Sequence, residues 1–126
     1  MSVTTTSERH QMVLDLFRAI DSFDVDGLLA YLKPEATQTF GNQEPLRGHE
    51  AIRAANVAFF STIDSLKHEI TGLWEVDGTV IARINATYGR RDGTAVTLPA
   101  VTILSESDGL IDSYQVFVDI APVVAP

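Results

Sequence analysis

The sequence predicts an α+β fold in which three N-terminal helices pack on a strongly curved, mainly antiparallel sheet. In the first half, apolar residues recur at three- and four-residue steps, as they do along one face of a helix. The second half carries three Asp-Gly dipeptides between apolar, β-branched runs, and Asp-Gly favours hairpin turns. Helices followed by a hairpin-connected sheet are the α+β arrangement. A sheet curved over helices would form a cone with a pocket inside.

Composition limits the class of protein. The chain has 126 residues, 45% of them hydrophobic, which fits a single domain spanning 1–126 with loose tails at 1–6 and 122–126. Its net charge of −8 disfavours binding to nucleic acid or to an anionic membrane surface. The absence of cysteine excludes disulfides and thiolate chemistry. No apolar run is long enough to cross a bilayer, and we expect a cytoplasmic protein.

Local signals set the bounds of the three predicted helices. Thr6 or Ser7 can cap the first, and apolar side chains then repeat along one stripe. The second spans Asp24–Leu32, because its first residue is a capping type and Pro34 prevents its continuation. The third spans His49–Ile63.

A short strand, Ala36–Phe40, and a loop rich in Gly, Asn and Pro separate the second and third helices. The Asp-Gly dipeptides then lie about 15 residues apart, which predicts an antiparallel meander of four long strands. These strands are Leu66–Val76, Thr79–Arg90, Thr94–Ser107 and Leu110–Ile120.

His68 is the first candidate for chemistry. Strict alternation places Leu66, His68, Ile70 and Trp74 on one face of their strand, which points the imidazole and the indole into the predicted pocket. Imidazole changes charge near neutral pH and is suited to acid–base catalysis. The alternative is a core histidine that one hydrogen bond satisfies.

Asn56 is the second candidate, because it lies on the apolar stripe of the third helix. A buried amide needs hydrogen-bond partners, so Asn56 could orient a ligand oxygen. Alternatively, the backbone or a neighbouring strand satisfies it.

Short motifs follow one another along nearly the whole chain. They are Asp24–Leu29 with Tyr31-Leu32, Glu35–Thr37, Glu44-Pro45, Gly48–Ile52, Asp108–Ile111 and Asp119. With the order of elements, they resemble the nuclear transport factor 2-like superfamily, and within it the SnoaL-like polyketide cyclases and ketosteroid isomerase-like proteins. The resemblance implies a cone-shaped, cystatin-like fold and chemistry on a hydrophobic small molecule without cofactor or metal.

The resemblance also implies that familiar catalytic groups are replaced. Phe40 matches the base aspartate of ketosteroid isomerases, Leu16 their tyrosine, and Val101 their protonated aspartate. Against limonene epoxide hydrolase-like members, Asn85 and Val116 stand where carboxylates are expected, whereas arginine and asparagine are retained at Arg83 and Asn42. Neither Asn nor Val can act as an acid or a base in epoxide opening.

Two arguments conflict over Arg83 and Asn85. Val80, Ala82, Ile84 and Ala86 form the apolar face of the same strand, so periodicity sends Arg83 and Asn85 to solvent. The resemblance instead turns them toward the pocket, where Arg83 could stabilise an enolate or a carboxylate. Both interpretations stay open at this point.

The resemblance turns further side chains toward the pocket. Tyr114 could donate to a developing oxyanion, or it packs in the core with its hydroxyl at the rim. The other expected ligand contacts are Gln38, Phe40, Asn42, Val101 and Val116.

The leading hypothesis is a cofactor-independent, SnoaL-like cyclase or isomerase that moves a proton next to a carbonyl. His68 would be its acid and base, and Arg83, Asn85 or Tyr114 would hold the oxyanion. The alternatives are a small-molecule-binding module without catalysis and an epoxide hydrolase-like enzyme. A homodimer through the outer sheet face is also predicted, carried by Val80, Ala82, Ile84 and the strand that follows them.

Overall fold

Helices precede most of the sheet along the chain. The structure is a computed structural model and describes residues 5–124. Within that range no helix is long and apolar enough to cross a membrane. The elements are α1 (Thr6–Asp21), α2 (Val25–Ala30), β1 (Leu32–Phe40), β2 (Leu46–Arg47), α3 (His49–Phe60), β3 (Ile63–Val76), β4 (Thr79–Arg90), β5 (Ala95–Ser107), β6 (Leu110–Phe117) and α4 (Ala121–Val124).

The six strands form one curled, unclosed sheet in the order β2-β1-β6-β5-β4-β3. The predicted meander from β3 to β6 is confirmed, and β1 joins it by parallel pairing with β6. Both residues of Asp77-Gly78 and of Asp108-Gly109 have positive φ, as type I′ turns require. At 92–93 only Gly93 does, which is the bulged relative of that turn.

The cap of α1 lies one residue before the predicted candidates. The backbone N–H of Glu8 donates to the Thr5 hydroxyl, and the Thr5 N–H donates to the Glu8 carboxylate. This capping box satisfies two backbone donors that the helix leaves unpaired, and it is worth about 1 kcal/mol. The helix then buries Val13, Leu16 and Phe17 against the sheet.

A β-bulge in β3 overturns the predicted position of Trp74. His68 faces Ala86, but the register with β4 shifts between Ile70 and Gly72, so Thr71 is an extra residue. An extra residue exchanges the two faces of the strand beyond it. Trp74 therefore lies on the outer face, 49% exposed, and does not line the interior.

The inner face of β4 settles the conflict that the sequence left open. Val80, Ala82 and Ile84 are at most 1% exposed and belong to the core. The prediction that this apolar face forms a dimer contact is therefore wrong. Arg83 points to the opposite side, where its guanidinium lies 5.4 Å from the Trp74 ring centroid and donates to Thr71.

The C-terminal segment also differs from the prediction. The sequence predicts a loose tail from 122, but Ala121–Val124 form a short helix whose Val123 is 7% exposed. The predicted N-terminal tail, 1–6, is wrong at its last two residues, because Thr5 caps α1 and Thr6 begins it. The other tail predictions, at 1–4 and 125–126, lie outside the described residues.

An ion-pair cluster connects α1 to strands β3 and β5. Arg9 donates through Nε to the buried Glu106 carboxylate at 2.6 Å and through a terminal nitrogen to Glu75. The Thr6 hydroxyl also donates to Glu75. Because the bulge turns Glu75 toward the helix, this cluster depends on the same register shift that exposes Trp74.

Candidate functional site

A cavity of about 240 Å³ lies between the helices and the inner face of the sheet. Aromatic rings form much of its wall: the ring centroids of Phe40 and Phe59 are 5.8 Å apart, and those of Phe59 and Phe60 are 6.2 Å apart. None of the described side chains that line it belongs to Asp, Glu, Lys or Arg. Its polar lining consists of Gln38, Gln43, Asn56, His68, Tyr88, Thr102 and Tyr114.

The structure places His68 in this lining and pairs it with Asp21. The imidazole Nδ1 lies 2.5 Å from Asp21 Oδ1, and the backbone N–H of His68 donates to Oδ2 at 2.9 Å. A carboxylate can only accept, so Nδ1 carries a proton in this pair. Nε2 is then the nitrogen that remains for a molecule in the cavity, and in the neutral ring it is a proton acceptor.

Packing fixes the plane of this imidazole. The His68 ring stacks on Phe17, with centroids 4.6 Å apart and an interplanar angle of 9°. The His68 side chain is 8% exposed and that of Asp21 24%. Phe17 and Asp21 are four residues apart on α1, so one helix face supplies both the stacking ring and the carboxylate.

Two tyrosines stay protonated in the same cavity. Burial, and then the negative charge of Asp21, raise the pKa of Tyr88 to about 12. Burial raises the pKa of Tyr114 further, with contributions from Tyr88 and then from Asp21. Both phenols are therefore hydrogen-bond donors near neutral pH. Both tyrosines line the same cavity as His68, the partner of Asp21.

Asn56 and Gln38 form a linked pair on the cavity wall. The Asn56 amide donates to Gln38 Oε1 and to the Ile52 carbonyl, each at 2.7 Å. Asn56 is therefore satisfied by a neighbouring strand and by backbone, the alternative that the sequence left open. Since Gln38 Oε1 already accepts from Asn56, the Gln38 amide nitrogen is the group that can donate to a ligand.

Six of the eleven predicted site residues meet at this cavity. Those that do are Gln38, Phe40, Asn56, His68, Tyr114 and Val116. Five others do not, and each has a local cause.

Alternation keeps three of the five away from the cavity. Arg83 and Asn85 alternate with the buried face of β4, and Val101 alternates with buried Ala100 and Thr102 on β5, so all three lie on the outer face. The orientation that the resemblance implied for them is wrong.

The other two lie away from the cavity because their strands do not continue regularly. Asn42 is exposed, since β1 ends at Phe40 and the chain turns at Gly41 with φ +58°. Trp74 lies beyond the bulge in β3 and faces outward.

Sequence reasoning missed Asp21, Tyr88 and Thr102. A signal for Asp21 existed, because it follows Phe17 by four residues and extends the apolar stripe of α1. A carboxylate at a helix C-terminus also opposes the helix dipole, which marks it as unusual. Tyr88 and Thr102 follow from extending the inner-face alternation of β4 and β5.

Among residues 5–124, no three His, Asp or Glu side chains are grouped so that they could hold a metal ion.

Solved structures share this architecture at low sequence identity. A proposed SnoaL-like polyketide cyclase from Jannaschia sp. CCS1 has 18% identity and a TM-score of 0.84, with 100% of this chain and 99% of that chain covered. A protein with a ketosteroid isomerase-like fold from Catenulispora acidiphila DSM 44928, solved with trimethylamine, has 17% identity and a TM-score of 0.83, covering 91% and 90%. These similarities confirm the predicted fold.

A third similar structure is SalBIII, an epoxide hydrolase/cyclase-like enzyme of pyran ring formation in the polyether salinomycin. It has 21% identity and a TM-score of 0.82, covering 94% of this chain and 96% of that one. The search of curated proteins finds no match. The family model described as the SnoaL-like domain matches residues 13–114. Since this match spans most of the sequence, the chain belongs to the SnoaL-like domain family.

Proposed function

We propose that the protein is a cofactor-independent enzyme that moves a proton next to a carbonyl group of a hydrophobic small molecule, with isomerisation or cyclisation as the outcome. The observation that carries the proposal is the His68–Asp21 pair, whose imidazole lines a mostly apolar cavity without charged side chains among the described residues. The cyclase and hydrolase/cyclase descriptions of two similar structures agree with this reaction class.

In the proposed reaction, neutral His68 removes a proton through Nε2 from the carbon beside the carbonyl. The C–H electron pair forms the enolate double bond, and the carbonyl π electrons move to oxygen. Asp21 stabilises the imidazolium that forms and keeps the ring in the productive tautomer. Return of the proton to a different carbon gives an isomer. Attack of the enolate carbon on a second carbonyl carbon of the same molecule closes a ring. The π electrons of that second carbonyl then move to its oxygen, which takes the proton from His68.

Deuterium exchange tests this proposal without knowledge of the natural substrate. The probe is 2-tetralone in D2O, and NMR follows the loss of protons from the carbons flanking its carbonyl. We expect wild type to accelerate exchange and His68→Ala to return the rate to background, a loss of about 10²–10⁴-fold. The control is His49→Gln, because His49 Nε2 contacts the Leu32 carbonyl and lies outside the cavity lining. Equal rates in wild type and H68A would refute the role of His68.

A binding module without catalysis is the second candidate. It is favoured by one observation: no carboxylate is among the described residues that line the cavity. A wild-type protein that binds 2-tetralone but does not accelerate its exchange would support this candidate instead. The retained arginine does not support the epoxide hydrolase alternative, because Arg83 lies on the outer face and donates to Thr71.

A further inference from the structure

The Thr102 hydroxyl is the least satisfied polar group of the cavity. Thr102 is 1% exposed and lines the cavity, and its Oγ1 has no hydrogen-bond partner among residues 5–124. A buried hydroxyl without a partner costs about 1–3 kcal/mol, and a ligand oxygen that accepts from Thr102 would remove this cost.

Tyr114 lies next to Thr102 on the same face. Thr102 pairs with Val116 across the β5–β6 ladder, and Tyr114 precedes Val116 by two residues, which makes it the diagonal neighbour of Thr102. Tyr114 is 4% exposed, and its phenol stays protonated. Two buried side chains that carry O–H donors thus lie on one region of the inner face, and both line the cavity. Such a pair matches one carbonyl or phenol oxygen, which has two lone pairs.

The charge of the lining restricts the ligand to a neutral molecule. No charged side chain lines the cavity within the described part of the chain. The nearby carboxylate, Asp21, is paired with His68 and would repel an anion. Burying an unpaired carboxylate or ammonium is strongly unfavourable.

The size and wall of the cavity restrict the ligand further. An engineered protein cavity of about 150 Å³ holds benzene, which has six non-hydrogen atoms. By proportion, the 240 Å³ found here corresponds to about ten such atoms, which is two fused six-membered rings. The rings of Phe40, Phe59 and Phe60 suit an aromatic occupant. A four-ring molecule exceeds this volume.

We propose that the cavity binds a neutral, two-ring aromatic molecule that bears one carbonyl or phenol oxygen, and that Thr102 and Tyr114 hold this oxygen. The inference names the ligand class of the proposed active site and rests on that proposal only in sharing the cavity. Thr102 is a binding residue here, and His68 remains the acid and base.

Calorimetric titration with matched ligands tests the inference. The probes are 2-tetralone, naphthalene as a fused two-ring skeleton of similar size without oxygen, 2-naphthoate as a two-ring skeleton with a negative charge, and progesterone for four rings. We expect 2-tetralone to bind most tightly, naphthalene about three- to tenfold more weakly, and neither 2-naphthoate nor progesterone to bind measurably. Binding of 2-naphthoate or progesterone as tight as that of 2-tetralone, or failure of 2-tetralone to bind, would overturn the ligand class.

The variant Thr102→Val separates the hydroxyl from the shape of the side chain. We expect T102V to weaken 2-tetralone about three- to tenfold, to leave naphthalene unchanged, and to raise the melting temperature of the empty protein because a buried unpaired hydroxyl is removed. The control is Thr87→Val, which removes a hydroxyl on the outer face that bonds to Thr97 and should leave both affinities unchanged. Unchanged 2-tetralone affinity in T102V would refute the role of Thr102.

The two proposals fail in different ways. If 2-tetralone binds as expected but wild type does not accelerate its deuterium exchange, the ligand class stands and catalysis does not. If His68→Ala abolishes exchange while T102V leaves 2-tetralone affinity unchanged, catalysis stands and the oxygen site does not.

Discussion

At the scale of single residues, the site depends on which side chains share a face. His68 could be found from the sequence by alternation along its strand, whereas Gln38 and Tyr114 were placed toward the cavity by the family resemblance. Asp21 was not found, because its role depends on where the end of α1 meets β3, a contact between segments 47 residues apart. Sequence periodicity describes one element at a time and does not report such contacts.

Asp21→Asn tests whether the carboxylate positions the imidazole. Asparagine can donate to Nδ1 and so favours the tautomer that carries the proton on Nε2, which cannot act as a base toward the cavity. We expect the exchange rate of 2-tetralone to fall about 10- to 100-fold while the protein stays folded. The 15N NMR shifts of His68 should report the change of tautomer, a readout that a merely structural role would not move. An unchanged tautomer with an unchanged rate contradicts the account.

Asn56→Ala tests the amide pair on the cavity wall. The variant removes the hydrogen bonds to Gln38 and to the Ile52 carbonyl, and it leaves the Gln38 oxygen without its donor. We expect a loss of about 1–3 kcal/mol in the free energy of unfolding, measured by urea titration. A change below about 0.5 kcal/mol would show that this pair does not hold Gln38 in place.

At the scale of elements, the Asp-Gly turns made the meander predictable from the sequence. The bulge in β3 could not be predicted in this way. Asp-Gly pairs place strand ends within a few residues, since their left-handed backbone suits so few other residue types. Thr71 gives no comparable signal: it is an ordinary strand residue, and only the pairing with β4 shows it to be extra. Its effect is large, because it turns Trp74 outward and Glu75 toward α1.

Glu75 gives α1 a pH-dependent attachment to the sheet. Hydrogen bonds from Thr6 and then from Arg9 lower the pKa of Glu75 from its ordinary value of 4.5. A lowered folded pKa contributes stability above 4.5 that is lost as the pH falls through the folded value. Urea titrations at several pH values should show this loss below 4.5 in wild type and a flatter profile in Glu75→Gln. Parallel profiles in the two proteins would contradict the assignment.

At the scale of the whole molecule, the corrected outer face changes the surface expected for a homodimer. Cross-strand pairing on that side joins Arg83, Val101 and Phe117 in one row and Trp74, Ile81 and Ile103 in the next. Trp74 and Phe117 are 49% and 46% exposed, and apolar side chains grouped in this way are typical of protein contacts. We therefore expect this outer face of the curled sheet to contact a second copy of the chain.

We propose that two chains associate through this outer face. Sedimentation at micromolar concentration should give a dimer for wild type and a monomer for Val101→Asp, because a charge at the centre of the face would be buried without a partner. Ala95→Asp, at the exposed start of the same strand, serves as the control. A monomeric wild type, or a V101D variant that remains dimeric, would remove this interface.

The central claim is that the curled sheet encloses an apolar cavity in which the Nε2 atom of His68 meets a neutral ketone. The most direct measurement is a crystal structure of the protein with 2-tetralone bound. We predict the ketone oxygen within about 3.2 Å of the Tyr114 and Thr102 hydroxyls, and a carbon beside the carbonyl within about 3.5 Å of His68 Nε2. A cavity filled by side chains, or a ketone bound with Nε2 turned away from it, would contradict the account.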